Sequence, residues 1–124
     1  MNKKRPINLD LSTIKFPVMA IASILHRISG VGLFILLPFI LYLLSLSLKN
    51  SLSFDYLLIQ LESPLYKILI WAFTTALIYH LLAGFRHLLM DIGLGESLES
   101  GRLSALIVIK VSILLTFILG IWLW

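Results

Sequence analysis

The stretch "HLLAGFRHLLMD", residues 80–91, closes a long apolar run yet carries two histidines, an arginine and an aspartate. On a helix turning about 100° per residue, His80, Gly84, His87 and Asp91 fall within roughly 40° of one another. One stripe then presents two imidazoles and a carboxylate around a glycine, which lets a flat ring or a second helix approach the backbone. Arg86 points away from that stripe, toward the face of Tyr79. A second cluster, "SILHRISG" (23–30), sets Ser23, Arg27 and Gly30 on one stripe with His26 beside it. A neutral imidazole with a free nitrogen is a good ligand for haem iron. A guanidinium flanked by imidazoles suits an anionic propionate or the carbonyl oxygens of a quinone. Each residue also has a plainer reading. His80 can bond a carbonyl or hydroxyl of a neighbouring helix, Arg27 can snorkel to lipid phosphates, and Ser23 can be a helix N-cap.

The elements that must position these residues are apolar throughout. The chain has 124 residues, 60% of them hydrophobic and 13% charged, with a mean hydropathy of +1.03. A soluble domain of this length cannot hide so much apolar surface, so the class is membrane. Cysteine is absent, which excludes disulfides, thiolate chemistry, iron–sulfur ligation and covalent haem attachment by this chain alone. Three stretches reach the roughly 20 residues a membrane helix needs. They cover about 23–48, 65–88 and 103–124 and make one anchor domain over 1–124, whose first 22 residues are an uncleaved cytoplasmic arm. Pro38 should kink the first span without ending it. Ser63 and Pro64 read as N-cap and first residue of the second. The segment 49–64 reads as a linker, and "GLGESLESGR" as a short turn-rich one. The expected fold is an all-α up-down bundle of three transmembrane helices.

Charge sets the orientation. Lys3, Lys4, Arg5, Lys15 and Arg27 gather at the start, and Arg86, Arg102 and Lys110 around the second linker, against Lys49 and Lys67 on the first. By the excess of basic residues on cytoplasmic loops, the N-terminus is cytoplasmic and the C-terminus periplasmic, with Trp122 and Trp124 as interfacial anchors. Arg86 and His87 then sit near the cytoplasmic interface, and His80 about 9–10 Å deeper at 1.5 Å per residue. An ionised group is costly there, so His80 is expected to be neutral. Lys110, about 10 Å into the third span, is expected to snorkel. No acidic residue lies inside a span, which argues against an ion translocator. The spans leave too little chain for a complete catalytic site on a water-soluble substrate. Nucleic acid is not an expected partner.

At these motifs the chain resembles the cytochrome b subunit of succinate dehydrogenase, the larger of two membrane anchors in the bacterial complex. "RPINLDLSTIKFP" resembles that family's N-terminal arm, "SILHRISG" its first-helix motif, and "HLLAGFRHLLMD" its H-x-x-x-G-x-R-H-x-x-x-D motif. The resemblance implies that His80 is an axial ligand to a haem b shared with the sister anchor, which brings the other histidine. It implies that Ser23 and Arg27 line a ubiquinone pocket, Ser23 donating to a quinone oxygen and Arg27 also lying near a haem propionate. His26 and His87 become haem-edge or propionate neighbours, and Asp91 part of the cytoplasmic edge of the site. His26 stays open as a second ligand on geometry alone. The implied partners are the second anchor, an iron–sulfur subunit, a flavoprotein subunit, ubiquinone and the lipid of a bacterial inner membrane. The implied function is to pass electrons from succinate oxidation to quinone in the citric acid cycle and respiratory chain. A fumarate reductase anchor and a cofactor-free membrane scaffold are the competing readings.

Overall fold

The computed structural model describes Ile7 and residues 9–124. Lys3, Lys4 and Arg5, part of the charge argument above, lie outside the described residues. Before the first helix, Asp10 accepts hydrogen bonds from the Ser12 hydroxyl (2.6 Å) and amide (3.0 Å). These two donors hold the Asp10 carboxyl below its ordinary pKa.

Four helices follow: α1 (Val18–Lys49), α2 (Ser51–Leu61), α3 (Pro64–Asp91) and α4 (Leu98–Leu123). No strand occurs among the described residues. α1 starts after Pro17, whose extended backbone occupies the N-cap position and whose carbonyl accepts from Ala20 and Ile21. Proline cannot sit in a helix interior without losing a bond, but its fixed φ suits a start. Helix therefore covers residues 18–22 of the expected arm, and Ser23 lies inside α1, which removes the N-cap reading of that residue. Pro38 is carried without ending the helix.

The segment 49–64, read from sequence as a linker, contains α2. Asn50 is extended and its side chain accepts from the Ser53 amide at 2.8 Å, a regular N-cap. With 11 residues, α2 is too short to cross a bilayer; it folds back on α1 and touches α3. Ser63 and Pro64 do start α3, although the Ser63 hydroxyl makes no capping bond. α3 stops at Gly93, where φ is +88°. Leu94 N–H donates to the Leu89 carbonyl (2.9 Å) and Gly93 N–H to that of Met90 (3.0 Å). That pair of bonds is the Schellman closure, and it needs a residue free to adopt positive φ. Ser97 caps α4 by accepting from the Ser100 amide.

Cross-bonds from three side chains give the topology. Tyr79 O–H donates to the Ala22 carbonyl (2.7 Å), joining the end of α3 to the start of α1. Arg86 bonds Gly101 and Ser104 at the start of α4. Trp71 Nε1–H donates to the Thr116 carbonyl (3.0 Å) at the opposite end. Consecutive long helices are thus antiparallel, the up-down arrangement the sequence predicts. The core is small, built on Tyr79, Ala83 and Val108 with Leu82 and Ile109 against them. The outside is apolar: Phe34 is 79% and Trp122 80% exposed. α1, α3 and α4 are each long and apolar enough to cross a membrane.

Candidate functional site

All three histidines of the chain meet where α1 begins and α3 ends. The His26 and His80 rings stack with centroids 4.2 Å apart and planes 15° from parallel. His87 is tilted against His26 at 5.2 Å. The contact is reciprocal, each helix's glycine receiving the other helix's histidine. A Cβ on Gly30 would lie 3.2 Å from Cε1 of His80, and one on Gly84 would lie 3.4 Å from Nε2 of His26. The stripe derived from helical periodicity, 80–84–87, is therefore the face that α3 turns to α1.

His80 is half-buried, and its two nitrogens differ. Nδ1 lies 3.0 Å from Ser29 Oγ and 3.2 Å from the His26 carbonyl oxygen. Nε2 makes no hydrogen bond among the described residues and is not enclosed, since the one enclosed and unpartnered polar side-chain atom there is Thr75 Oγ1. The plain reading of His80 and the ligand reading thus coexist on one ring: α1 satisfies one nitrogen and leaves the other open. Axial ligation of one iron by two imidazoles needs their nitrogens opposed across the metal. Stacked rings do not offer that, which counts against His26 as a second ligand to the same iron. No group of three or more histidine, aspartate or glutamate side chains is arranged to hold a metal among the described residues.

The remaining site residues divide. Arg27 is exposed, Ser23 is half-buried, and neither makes a hydrogen bond or ion pair with a described residue. They lie beside the histidine cluster on α1, not inside it. Asp91, Glu96, His87 and Arg86 line, with Met19 and Met90, a cleft of about 450 Å³ at the same end. The sequence alone puts Arg86 at this rim. Arg86 does line that cleft, but it is 6% exposed, and its Nε and Nη2 donate to Ser104 Oγ (2.9 Å) and the Gly101 carbonyl (3.1 Å). Its charge is held against α4, on the Tyr79 face that periodicity assigns to it. Lys110 is exposed. Sequence reasoning passes over Ser29, which is buried against His80. Its signal is a hydroxyl three residues after His26 and next to Gly30 in a span otherwise apolar. A larger apolar cleft of about 760 Å³ runs between α1, α3 and α4, past Trp71, Thr75 and Phe117.

Comparison with known proteins supplies the context for this geometry. The model of the family described as "Succinate dehydrogenase/Fumarate reductase transmembrane subunit" matches residues 1–119. A Coxiella burnetii protein named succinate dehydrogenase cytochrome b556 subunit is 45% identical over 125 residues, covering all of both chains. A protein of that name from Rickettsia prowazekii is 37% identical, over 95% of this chain and 92% of the relative. Another from Paracoccus denitrificans is 33% identical, over 90% and 85%.

Proposed function

The chain belongs to the succinate dehydrogenase/fumarate reductase transmembrane subunit family, and from that premise we propose that it binds haem b and ubiquinone in succinate dehydrogenase. Its place as a membrane anchor of that enzyme follows from the relatives and from its three apolar helices. The cytochrome b name of those relatives supports a haem here too. The observation that carries the residue assignment is His80, held at Nδ1 by α1 and open at Nε2. That donor set fits an imidazole that would hold the haem iron, with a histidine of the sister anchor as the expected second ligand. When bound, haem b adds a one-electron carrier whose potential is tuned by its ligands and its low-dielectric surroundings.

This chain's own groups do the rest. His26 and His87, packed around His80, would flank the haem edge or its propionates. Arg27 and Ser23 have no partner within the described residues, so a guanidinium and a hydroxyl are available beside the cluster. Arg27 pairs with an anionic oxygen, and Ser23 donates to a quinone oxygen. Burying these groups in a complex without such a ligand would leave them unsatisfied, at about 1–3 kcal/mol for each lost partner. Lys15, Arg27, Arg86 and Arg102 toward one end of the bundle, against Lys49 and Lys67 at the other, support a cytoplasmic N-terminus in the inner membrane. The iron–sulfur and flavoprotein subunits dock on that face, where electrons from succinate arrive and protons are within reach of water. Asp91 and its cleft lie at that edge.

The test is a reduced-minus-oxidised visible spectrum of the purified complex. His80→Leu should abolish or shift the b-type bands, and an unchanged spectrum would sink the ligand assignment. Ser23→Ala or Arg27→Leu should lower quinone reduction while succinate oxidation with a soluble acceptor survives. A parallel fall of both activities in an assembled complex would remove the quinone assignment. A fumarate reductase anchor remains the second reading, because the family description covers both enzymes.

A further inference from the structure

Three contacts converge on Nδ1 of His80 and its two α1 partners, and the available protons assign them. Ser29 Oγ lies 2.7 Å from the His26 carbonyl oxygen, which has no proton of its own, so the hydroxyl proton is directed there. Nδ1 then faces two acceptors, the hydroxyl at 3.0 Å and the same carbonyl at 3.2 Å. A protonated Nδ1 satisfies both. The reverse arrangement, with the hydroxyl donating to a bare Nδ1, sets the nitrogen lone pair against the carbonyl and leaves the 2.7 Å oxygen pair without a proton. Ser29 is 7% exposed, and lone-pair repulsion is poorly screened where water is excluded.

We propose that Ser29 is a positioning residue: with the His26 carbonyl it fixes His80 as the Nδ1–H tautomer and so presents an unprotonated Nε2. α1 then contributes no ligand of its own. It sets the protonation pattern and rotation of the imidazole that α3 carries, with Gly30 giving the ring room at Cε1. An N–H held by an acceptor makes the opposite nitrogen a better electron donor, and loss of such support typically costs about 10–100-fold in metal affinity. The inference rests on His80 as the iron ligand, but the tautomer itself is measurable without iron.

The experiment has two arms. In the first, the full chain is prepared without haem, with ¹⁵N-labelled histidine, in lipid nanodiscs. Long-range ¹H–¹⁵N spectra, assigned with His80→Gln, report which nitrogen carries the proton. The wild type should show Nδ1–H alone, Ser29→Ala a mixture of tautomers, and Ser29→Thr the wild-type pattern. An Nε2–H wild type, or a Ser29→Ala spectrum identical to it, overturns the proposal. In the second, the assembled complex is loaded with haem. Ser29→Ala should weaken haem retention by about tenfold and raise the midpoint potential, and Ser29→Thr should restore both. Unchanged retention and potential in Ser29→Ala overturn the positioning role while His80→Leu still removes the haem. If His80→Leu leaves the haem spectrum intact, the ligand reading fails and the tautomer result stands by itself.

Discussion

Gly30 and Gly84 hold their histidine contacts with different clearances, and the difference predicts different mutants. A Cβ at Gly84 would touch His26 at 3.4 Å, ordinary van der Waals contact, whereas one at Gly30 would press on His80 at 3.2 Å. Gly84→Ala should therefore keep its haem and gain up to about 1 kcal/mol from the better helix former. Gly30→Ala gains the same but displaces His80, and crowding of this kind costs about 1–3 kcal/mol. Haem absorbance followed during thermal denaturation separates the two: loss at lower temperature for Gly30→Ala, and none for Gly84→Ala. Equal behaviour would mean that α1 yields freely around His80. The stripe of His80, Gly84 and His87 is legible in the sequence because one helical period generates it. Ser29 is not, because its bond to His80 depends on the register between two helices, which no single period encodes.

At the scale of elements, two contacts carry most of what the sequence leaves hidden. α2 reads as linker because eleven residues, mixing Leu52, Phe54 and Leu57 with Ser53, Asp55 and Gln60, are too short and mixed to announce a membrane segment. Its start depends on Asn50. Asn50→Ala should cost about 1 kcal/mol of local stability, seen as faster amide exchange over 53–57. Ser63→Ala, where no capping bond exists, should leave exchange in α3 unchanged. The α3–α4 clasp stabilises more than this cap does. A hydrogen bond from a charged donor contributes about 1.5–3 kcal/mol, and buried Arg86 makes two to α4. Arg86→Leu should lower the unfolding free energy in mixed micelles by at least that much, and Ser104→Ala by less. An Arg86→Leu chain as stable as wild type, with only quinone reduction impaired, would leave Arg86 a residue of the rim cleft alone. Its place against α4 is hidden for a physical reason: a cation beside an interface reads as solvated until a neighbouring helix is found to offer it a carbonyl and a hydroxyl.

The whole molecule is apolar outside and sparsely packed inside, so its fold is defined as much by the bilayer and its partners as by its own core. Tyr79, Ala83 and Val108 make the main buried cluster, while α1 and α4 turn Phe34, Ile121 and Trp122 outward. The antiparallel order of α1, α3 and α4 places the start of α1 and the α3–α4 turn at one end, and α2 at the other. Lys15, Arg86 and Arg102 belong to the first end and Lys49 and Lys67 to the second. The basic bias gives this order the orientation proposed above. Because the chain has no cysteine, single cysteines can report that orientation without background. Glu96→Cys, exposed after α3, should react with a membrane-impermeant maleimide only in inverted vesicles. Asp55→Cys, exposed on α2, should react only in intact spheroplasts. The reverse pattern would put the histidine cluster on the periplasmic side, away from cytoplasmic electron donors, and the proposed route from succinate to quinone would fail with it. Labelling of both sites from one side would overturn the up-down topology itself, since an odd number of crossings separates them only if α3 spans the membrane.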